Sequence, residues 1–558
     1  MDRRATLTRL FGLTAAEPVA AEAAMPAMAP VLLGLEPYQG PWNFEQASHI
    51  LRRCTFGPTR EMILEAVELG FDGTVAKLFE EDLPAPAPPV NHTSDEDANV
   101  PLGETWIDAP YSVTANLRAY RNQSLRAWTL KLMLEEGISL REKMTLFWHN
   151  HFAVSNVNDP KFLYRHVELL RNFAWGNFRE LMKEITVDPT MLRFLNGNQN
   201  TRTAPNENYA RELMELYTLG KGDLAGPGDY TTFTEDDVIQ MAKVLTGWRD
   251  RGFNTVNPDV NVESFFTLNR HDTGSKQLSH RFNNEVITNL GDQEYAHLID
   301  VIFKREDVAL FISRKLYRWF VYYPVNEEVE TNVIRPMAQI LIDNDYEIRP
   351  ALEALLRSAH FFDILNWGPM IKNPLDFIVS TIKTTQIPLP DDELLRYRVL
   401  YRVFLFTSLM EMEYYNPPNV AGWKAYYQEP LFYRTWINAT TLQARMGYSN
   451  ILTTAGYNFF GFRLRLRPLD LIATIGNPMD PNTVITEFAK LLFPMPITDS
   501  QVVALKELLL PGLPDYEWAL EFGEYLGNPD DVTLANAVDA KLRALLTAMI
   551  SMPEFYLS

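Results

Sequence analysis

The chain has 558 residues, 51 Lys and Arg against 71 Asp and Glu, a net charge of −20 and a hydrophobic share of 46%. That balance fits a globular protein with a large core and excludes collagen-like, low-complexity and wholly disordered classes. The acidic field argues against nucleic acid as a partner, the single cysteine, Cys54, excludes disulfides and cysteine-rich metal centres, and no apolar run of about 20 residues is present to span a membrane.

Residues 1–40 read as a leader-like or flexible N-terminal tail. Arg3-Arg4 ahead of Leu7 and Leu10 resembles the start of a twin-arginine export signal, while Glu17 and Glu22 interrupt the apolar stretch such a signal needs. Residues 41–558 read as one helical domain. Apolar positions at Ile50, Leu51, Met62, Ile63, Ala66, Val67 and Phe71 follow helical spacing. The proline-rich stretch 83–105 breaks the pattern and predicts a long surface loop. Helical periods resume over 111–136, 140–152, 161–175 and 178–185, then over 206–219 and 234–248, where Thr234 followed by Glu235, Asp236 and Asp237 forms an N-cap with an acidic first turn.

Val262–Leu268 is rich in β-formers and predicts a small β-hairpin insertion near 262–285. Further helices are expected at 294–303, 307–321, 328–344 and 349–357. The fold class is therefore mainly α: a large multi-helical body, read as two helical halves with a soft division near 285–305, plus the hairpin.

Four stretches could carry chemistry. In Phe147-Trp148-His149-Asn150-His151-Phe152 the two histidines diverge on a regular helix, and converge as metal ligands only if the helix ends between them. The alternative is that both bond carbonyls and pack on Trp148 and Phe152. In the stretch 205–220, Asn208, Arg211, Glu212 and Glu215 follow i, i+3, i+4, i+7, placing an amide, a guanidinium and two carboxylates on one stripe, with Glu207 beside them. An ordinary solvated face laced by Glu207–Arg211 and Arg211–Glu215 pairs is the alternative. His271-Asp272, ahead of Gly274 and Lys276, reads as an imidazole and carboxylate at the hairpin turn. Asn416–Trp423 reads as a rigid turn delivering Asn419 and Trp423 to a ligand, or as a buried tryptophan stapling a loop.

These segments, with Ala47–Thr59, Leu245-Thr246-Gly247-Trp248, Arg314–Tyr317, Lys372-Asn373-Pro374, Trp436-Ile437-Asn438 and Pro553-Glu554-Phe555, occur in an order that resembles the bacterial family catalogued as domain of unknown function 1800. The resemblance covers about Trp42 to the C-terminus. It implies a large helical protein, often exported, whose genes neighbour those of a second exported family, domain of unknown function 1501. A member of that second family is the implied partner, and a periplasmic, secreted or envelope-associated location is favoured over a cytoplasmic one. Cys54 lies in a matching segment where the family does not require a thiol.

Two functions follow from these residues. One is a metal-assisted hydrolase or transferase acting on a polar polymer, glycan or peptide. Its divalent ion would be held by His149, His151, Glu212, His271 and Asp272, its acid–base groups drawn from Glu207, Glu212 and Glu215 with Arg211, and its substrate contacted by Asn208, Trp248, Asn419 and Trp423. The other is a non-catalytic envelope scaffold or partner subunit whose His, Glu and Arg side chains form buried structural networks; its 11 Trp and 24 Tyr supply packing and interface area.

Overall fold

The computed structural model describes residues 34–93 and 97–558, so most of the leader-like tail lies outside the described residues. The N-terminal helices are α1 (Phe44–Cys54), α2 (Arg60–Leu78), α3 (Leu117–Glu135), α4 (Arg141–His151), α5 (Pro160–Asn172), α6 (Phe178–Thr186) and α7 (Pro189–Phe194). Next come α8 (Glu207–Glu212), continued as a π-helix over Leu213–Thr218, and α9 (Glu235–Val244). Then follow α10 (Glu294–Ile302), α11 (Glu306–Phe320), α12 (Glu327–Val329) running through a π-turn into α13 (Arg335–Asp343), and α14 (Ile348–Leu356). The last group is α15 (Pro374–Thr384), α16 (Glu393–Leu409), α17 (Ala439–Thr453), α18 (Pro468–Ile472), α19 (Pro481–Leu492), α20 (Asp499–Leu509), α21 (Asp515–Gly527) and α22 (Val532–Ser551).

Helix starts follow side-chain chemistry. Thr234 accepts the Asp237 amide while Asp237 accepts the Thr234 amide, a reciprocal cap that satisfies two otherwise orphaned donors. Asn43, Thr59, Asn177, Asp188, Asn206 and Asn373 cap six further helices. The apolar core is continuous, and it runs through the stretch 285–305, where Leu298, Ile299 and Ile302 are fully buried. Helix α3 lies along α16, α11 along α13 and α20 along α22.

The β structure is confined to two-stranded antiparallel pairs among the described residues. The stretch expected to turn back on itself is a strand, Glu263–Phe266, but its partner lies upstream at Trp248–Arg251, with Trp248 opposite Phe266 and Arg251 opposite Glu263. Gly247 makes this pairing possible: φ is +98°, and a Cβ there would sit 3.2 Å from the Thr267 carbonyl. A second pair, Lys276–Gln277 with Val286–Ile287, follows in the same region.

The proline-rich segment also departs from a plain surface loop. Asn91 and Trp106 are buried, and the Asn91 and Gly103 amides bond the Glu104 and Asn91 carbonyls at 2.8 Å. Asp97 meets Arg121 at 2.7 Å with both side chains buried. Prolines stop helix formation there, but they do not stop polar side chains from anchoring the loop to α3.

Candidate functional site

Helix α4 carries the histidine motif, and every residue from Glu142 to His151 is buried. The helix does not end between the histidines. It runs through His151 and is closed by the Phe152 amide on the Trp148 carbonyl, so the two imidazoles point to different neighbours, as a turn of about 200° requires.

His149 accepts the Tyr415 amide on Nε2 at 3.3 Å and stacks on Tyr414, ring centroids 4.1 Å apart, with Trp423 beyond it at 5.7 Å. Accepting on Nε2 places the ring proton on Nδ1. His151 bonds the Tyr217 carbonyl through Nε2 at 3.0 Å and takes the Lys315 ammonium on Nδ1 at 3.1 Å. Burial holds both imidazoles well below the usual histidine range, assisted at His149 by His166 and at His151 by Lys315.

Lys315 also donates to the Leu216 carbonyl at 3.2 Å. Leu216 and Tyr217 lie in the last turn of the π-helix, whose carbonyls have no partner within the helix. His151 and Lys315 therefore cap the end of another helix. Burial lowers the Lys315 amine to about 7, with Arg318 adding to the effect.

The third imidazole, His271, is fully buried between the Thr246 carbonyl (2.9 Å from Nδ1) and the Glu294 carboxylate (3.0 Å from Nε2), and Lys276 sits on the other oxygen of Glu294 at 2.5 Å. Asp272 accepts the Gly274 amide and donates its own amide to Thr246 Oγ1. None of the three histidines keeps a ring lone pair for a cation, since each acceptor nitrogen already receives a hydrogen bond or each nitrogen faces an oxygen. Among the described residues no three His, Cys, Asp or Glu side chains gather as a metal-ligand set. His149, His151, Glu212 and the His271–Asp272 pair thus occupy separate networks, and their donor sets do not fit a shared divalent ion.

The carboxylate stripe resolves in a different way. Arg211 is claimed by Glu235 of α9 through two bonds, 2.8 and 2.7 Å, rather than by Glu207 or Glu215. Glu215 pairs with Lys221 at 3.4 Å, and Glu207 and Asn208 are exposed. Glu212 is half-buried, which together with Glu215 raises its carboxyl above the ordinary range.

Trp423 is 2% exposed, stapled by its amide to Asn150 Oδ1 at 3.0 Å, so it packs on α4 and presents no surface. Asn419 bonds Tyr427 and the Ala421 amide. Trp248 is half-buried between Phe266 and Tyr295. Cys54 is fully buried, which pushes its thiol up, away from nucleophile chemistry.

An open cleft of about 520 Å³ lies at the other end of α4, and sequence reasoning missed it. Its walls are Arg141 at the start of α4, Arg171 at the end of α5, the turn 172–177, Glu347 and Arg349 at the start of α14, and Glu81. The turn is pinned by backbone bonds from Ile348 to Gly176 (3.2 Å), from Arg349 to Trp175 (3.1 Å) and from Phe178 to Tyr346 (2.9 Å). Arg141 lies over the Trp175 ring at 5.1 Å and donates to the Glu80 and Glu81 carbonyls, with no carboxylate in direct ion-pair contact among the described residues. Arg349 reaches Glu81 at 2.8 Å and Glu353 at 3.3 Å. Arg171 commits Nε to Glu142 at 2.6 Å.

Behind Arg171 sits a pair of carboxyls. Glu142 gives its amide to Glu136 Oε1 at 3.0 Å, and Glu136 Oε2 is buried without a donor. Burial and the neighbouring Glu142 push Glu136 up to about 8, and burial raises Glu142 against the opposing pull of Arg171. The signal available in the sequence was Arg141-Glu142-Lys143, three charged residues opening a helix whose middle, Leu146-Phe147-Trp148, is apolar and aromatic.

No described helix is long and apolar enough to cross a membrane. No curated protein and no solved structure matches the chain. The family described as "Protein of unknown function (DUF1800)" matches residues 49–557. With nearly the whole length matched, and with the segments that form α4 and α8 and the second half of α1 inside the match, the chain belongs to that family.

Proposed function

We propose that the protein is a non-catalytic binding protein of the cell envelope that holds a carboxylate-bearing glycan in the cleft between α4, α5 and α14. The observation that carries this reading is the convergence of Arg141, Arg171 and Arg349 on one polar cleft of about 520 Å³ in a chain of net charge −20. That volume lies within the range of small-ligand sites, and guanidinium forks match planar carboxylates. The envelope setting, and a partner from the domain of unknown function 1501 family, carry over from the family resemblance.

The scaffold half of the reading draws on the histidine networks, where imidazoles that could have served catalysis are spent on carbonyls, amides and a buried carboxylate. A hydrolase or transferase would have to work with the carboxylates that line the cleft, Glu81 and Glu347.

The test is a titration of the full chain with oligogalacturonate and with a neutral oligosaccharide of equal length, for the wild type and for Arg141→Gln and Arg349→Gln, with folding checked by circular dichroism. The acidic oligomer should bind more tightly, lose affinity as salt rises, and weaken about tenfold or more in each variant, because a charge-assisted hydrogen bond contributes about 1.5–3 kcal/mol. Equal binding of both oligomers, or unchanged affinity in both variants, would overturn the proposal. Chain cleavage by the wild type that is lost in Glu81→Gln or Glu347→Gln would replace the binding protein with an enzyme.

A further inference from the structure

A second polar space lies inside the protein, between α1, α4, α11 and α15. It is a cavity of about 30 Å³, the room taken by one water molecule or one halide ion. Its lining includes Arg52, Arg53, Lys143, Trp319, Asn373, Asp376 and Tyr426. Arg52, Arg53 and Lys143 are 8%, 3% and 5% exposed, so three cations are held away from water, and the acceptors in the lining include Ser558, whose main-chain oxygen Arg53 holds at 2.9 Å, and one carboxylate side chain, Asp376. Both oxygens of that carboxylate are already taken: Lys143 holds Asp376 Oδ1 and Asn373 Nδ2 donates to Oδ2 at 2.6 Å.

The hydrogen-bond ledger of the lining is one-sided. Arg53 gives its terminal nitrogens to Ser558 and to the Val321 carbonyl, but its buried Nε has no acceptor among the described residues. Trp319, two residues before Val321 and 7% exposed, has its indole Nε1 buried without an acceptor among the described residues. Both groups are donors only. Tyr426 Oη accepts from Asn373 at 3.2 Å and has a proton left to give, and its ring lies 4.5 Å from that of Trp319. A buried donor left unpaired costs about 1–3 kcal/mol, so two in one small cavity call for a shared acceptor.

We propose that this cavity is a binding site for a monatomic anion, chloride, held by Arg53 Nε–H, Trp319 Nε1–H and the Tyr426 hydroxyl in the positive field of Arg52 and Lys143. An oxyanion such as phosphate is too large for the space, and a cation is repelled by the three basic side chains. The ion ties α1 to the end of α11 and to the start of α15, so its role is to complete the interior where these elements meet. The site is separate from the arginine cleft, and neither proposal depends on the other.

The experiment uses the full chain exchanged into sodium gluconate, then titrated with sodium chloride at constant ionic strength while the thermal midpoint is followed, with sodium phosphate as a parallel arm. Crystals soaked in sodium bromide supply the position by anomalous scattering. Chloride should raise the midpoint along a saturable curve, phosphate should not, and a bromide peak should lie within hydrogen-bonding reach of Arg53 Nε and Trp319 Nε1. Trp319→Phe keeps the ring and removes one donor; its apparent chloride affinity should fall about tenfold. A water without anomalous signal in the cavity, a midpoint indifferent to chloride, or equal chloride response in Trp319→Phe overturns the assignment.

Discussion

The carboxyl pair behind the cleft makes a sharp prediction about pH. Glu136 has an ordinary value of 4.5 and is pushed up to about 8 by burial and by Glu142. A carboxyl whose value rises on folding binds a proton in the native state that the unfolded chain has released, so stability falls as pH rises through that window. Taken alone, the window from 4.5 to about 8 corresponds to roughly 5 kcal/mol at 1.36 kcal/mol per pH unit. Glu142 shares the burden and Arg171 opposes it, so about half, 2–3 kcal/mol between pH 5 and pH 8, is the expected size.

Lys383 works in the opposite sense. Burial lowers its amine to about 8 from 10.5, so the native state binds fewer protons than the unfolded chain between those values and stability climbs again above pH 8. The contribution of this pair is therefore least favourable near pH 8, set against the gain that the buried, neutral histidines bring as pH rises from 5 to 7. Glu136→Gln keeps an acceptor for the Glu142 amide and removes the titration, so in urea unfolding from pH 5 to pH 9 the wild type should lose about 2–3 kcal/mol relative to the variant between pH 5 and 8. The variant should also show the Lys383 rise beginning at lower pH, because the supporting carboxylate is gone. Superimposable profiles for wild type and Glu136→Gln would refute the reasoning, since Glu136 would then ionise alike in both states.

Other expectations concern the networks around α4. Gly422 has φ of +84°, and a Cβ there would lie 2.6 Å from the Asn150 carbonyl and closer still to its Oδ1; Gly422→Ala should cost about 3 kcal/mol or more by urea denaturation, while Gly447→Ala, with open space around its Cβ position, should be tolerated. His149 and His151 are held well below 6.5 by burial, so the unfolded chain takes up protons first, and moving from pH 7 to pH 5 should remove at most about 2 kcal/mol per histidine. A His151→Gln variant should reduce the acid loss by at most about 2 kcal/mol, His49 and His92 being lowered by burial as well; an unchanged acid limb would mean that His151 is not held neutral.

The helical class, most helix positions and the Thr234 cap were legible because apolar periodicity and capping chemistry act over a few residues. The pairing of Glu263–Phe266 with Trp248–Arg251 was not, because a strand of four residues names its own conformation and not its partner, and the deciding feature, the positive φ of Gly247, sits 16 residues upstream of it. Among candidate site residues, the stripe of Asn208, Arg211, Glu212 and Glu215 was read from 3.6-residue spacing, but the helix turns to π geometry from Leu213 and the partner of Arg211 comes from Glu235 on the next helix. Spacing reports which side chains share a surface; which of them meet across elements depends on packing that one chain does not reveal. The arginine cleft was missed for that reason, since Arg141, Arg171 and Arg349 are distant in sequence and are joined only by the backbone bonds around 173–178.

The same packing explains why α4 carries so many polar groups in a buried position. A helix enclosed on all sides could be apolar throughout and would be held in place by area alone, which tolerates rotation and sliding. Here Glu142 is fixed to Arg171, Lys143 to Asp376, His149 to the Tyr415 amide, Asn150 to the Trp423 amide and His151 to the Tyr217 carbonyl, five contacts in five directions. Each buried polar group would lose about 1–3 kcal/mol if its partner moved away, so rotation of α4 by one residue would break all five at once. That penalty sets one orientation for the helix whose first residue, Arg141, walls the cleft and whose third, Lys143, lines the small basic cavity. The histidine motif that reads in sequence as a metal-ligand pair or as carbonyl-bonded packing is, in this structure, part of what orients the walls of the cleft and of the small cavity.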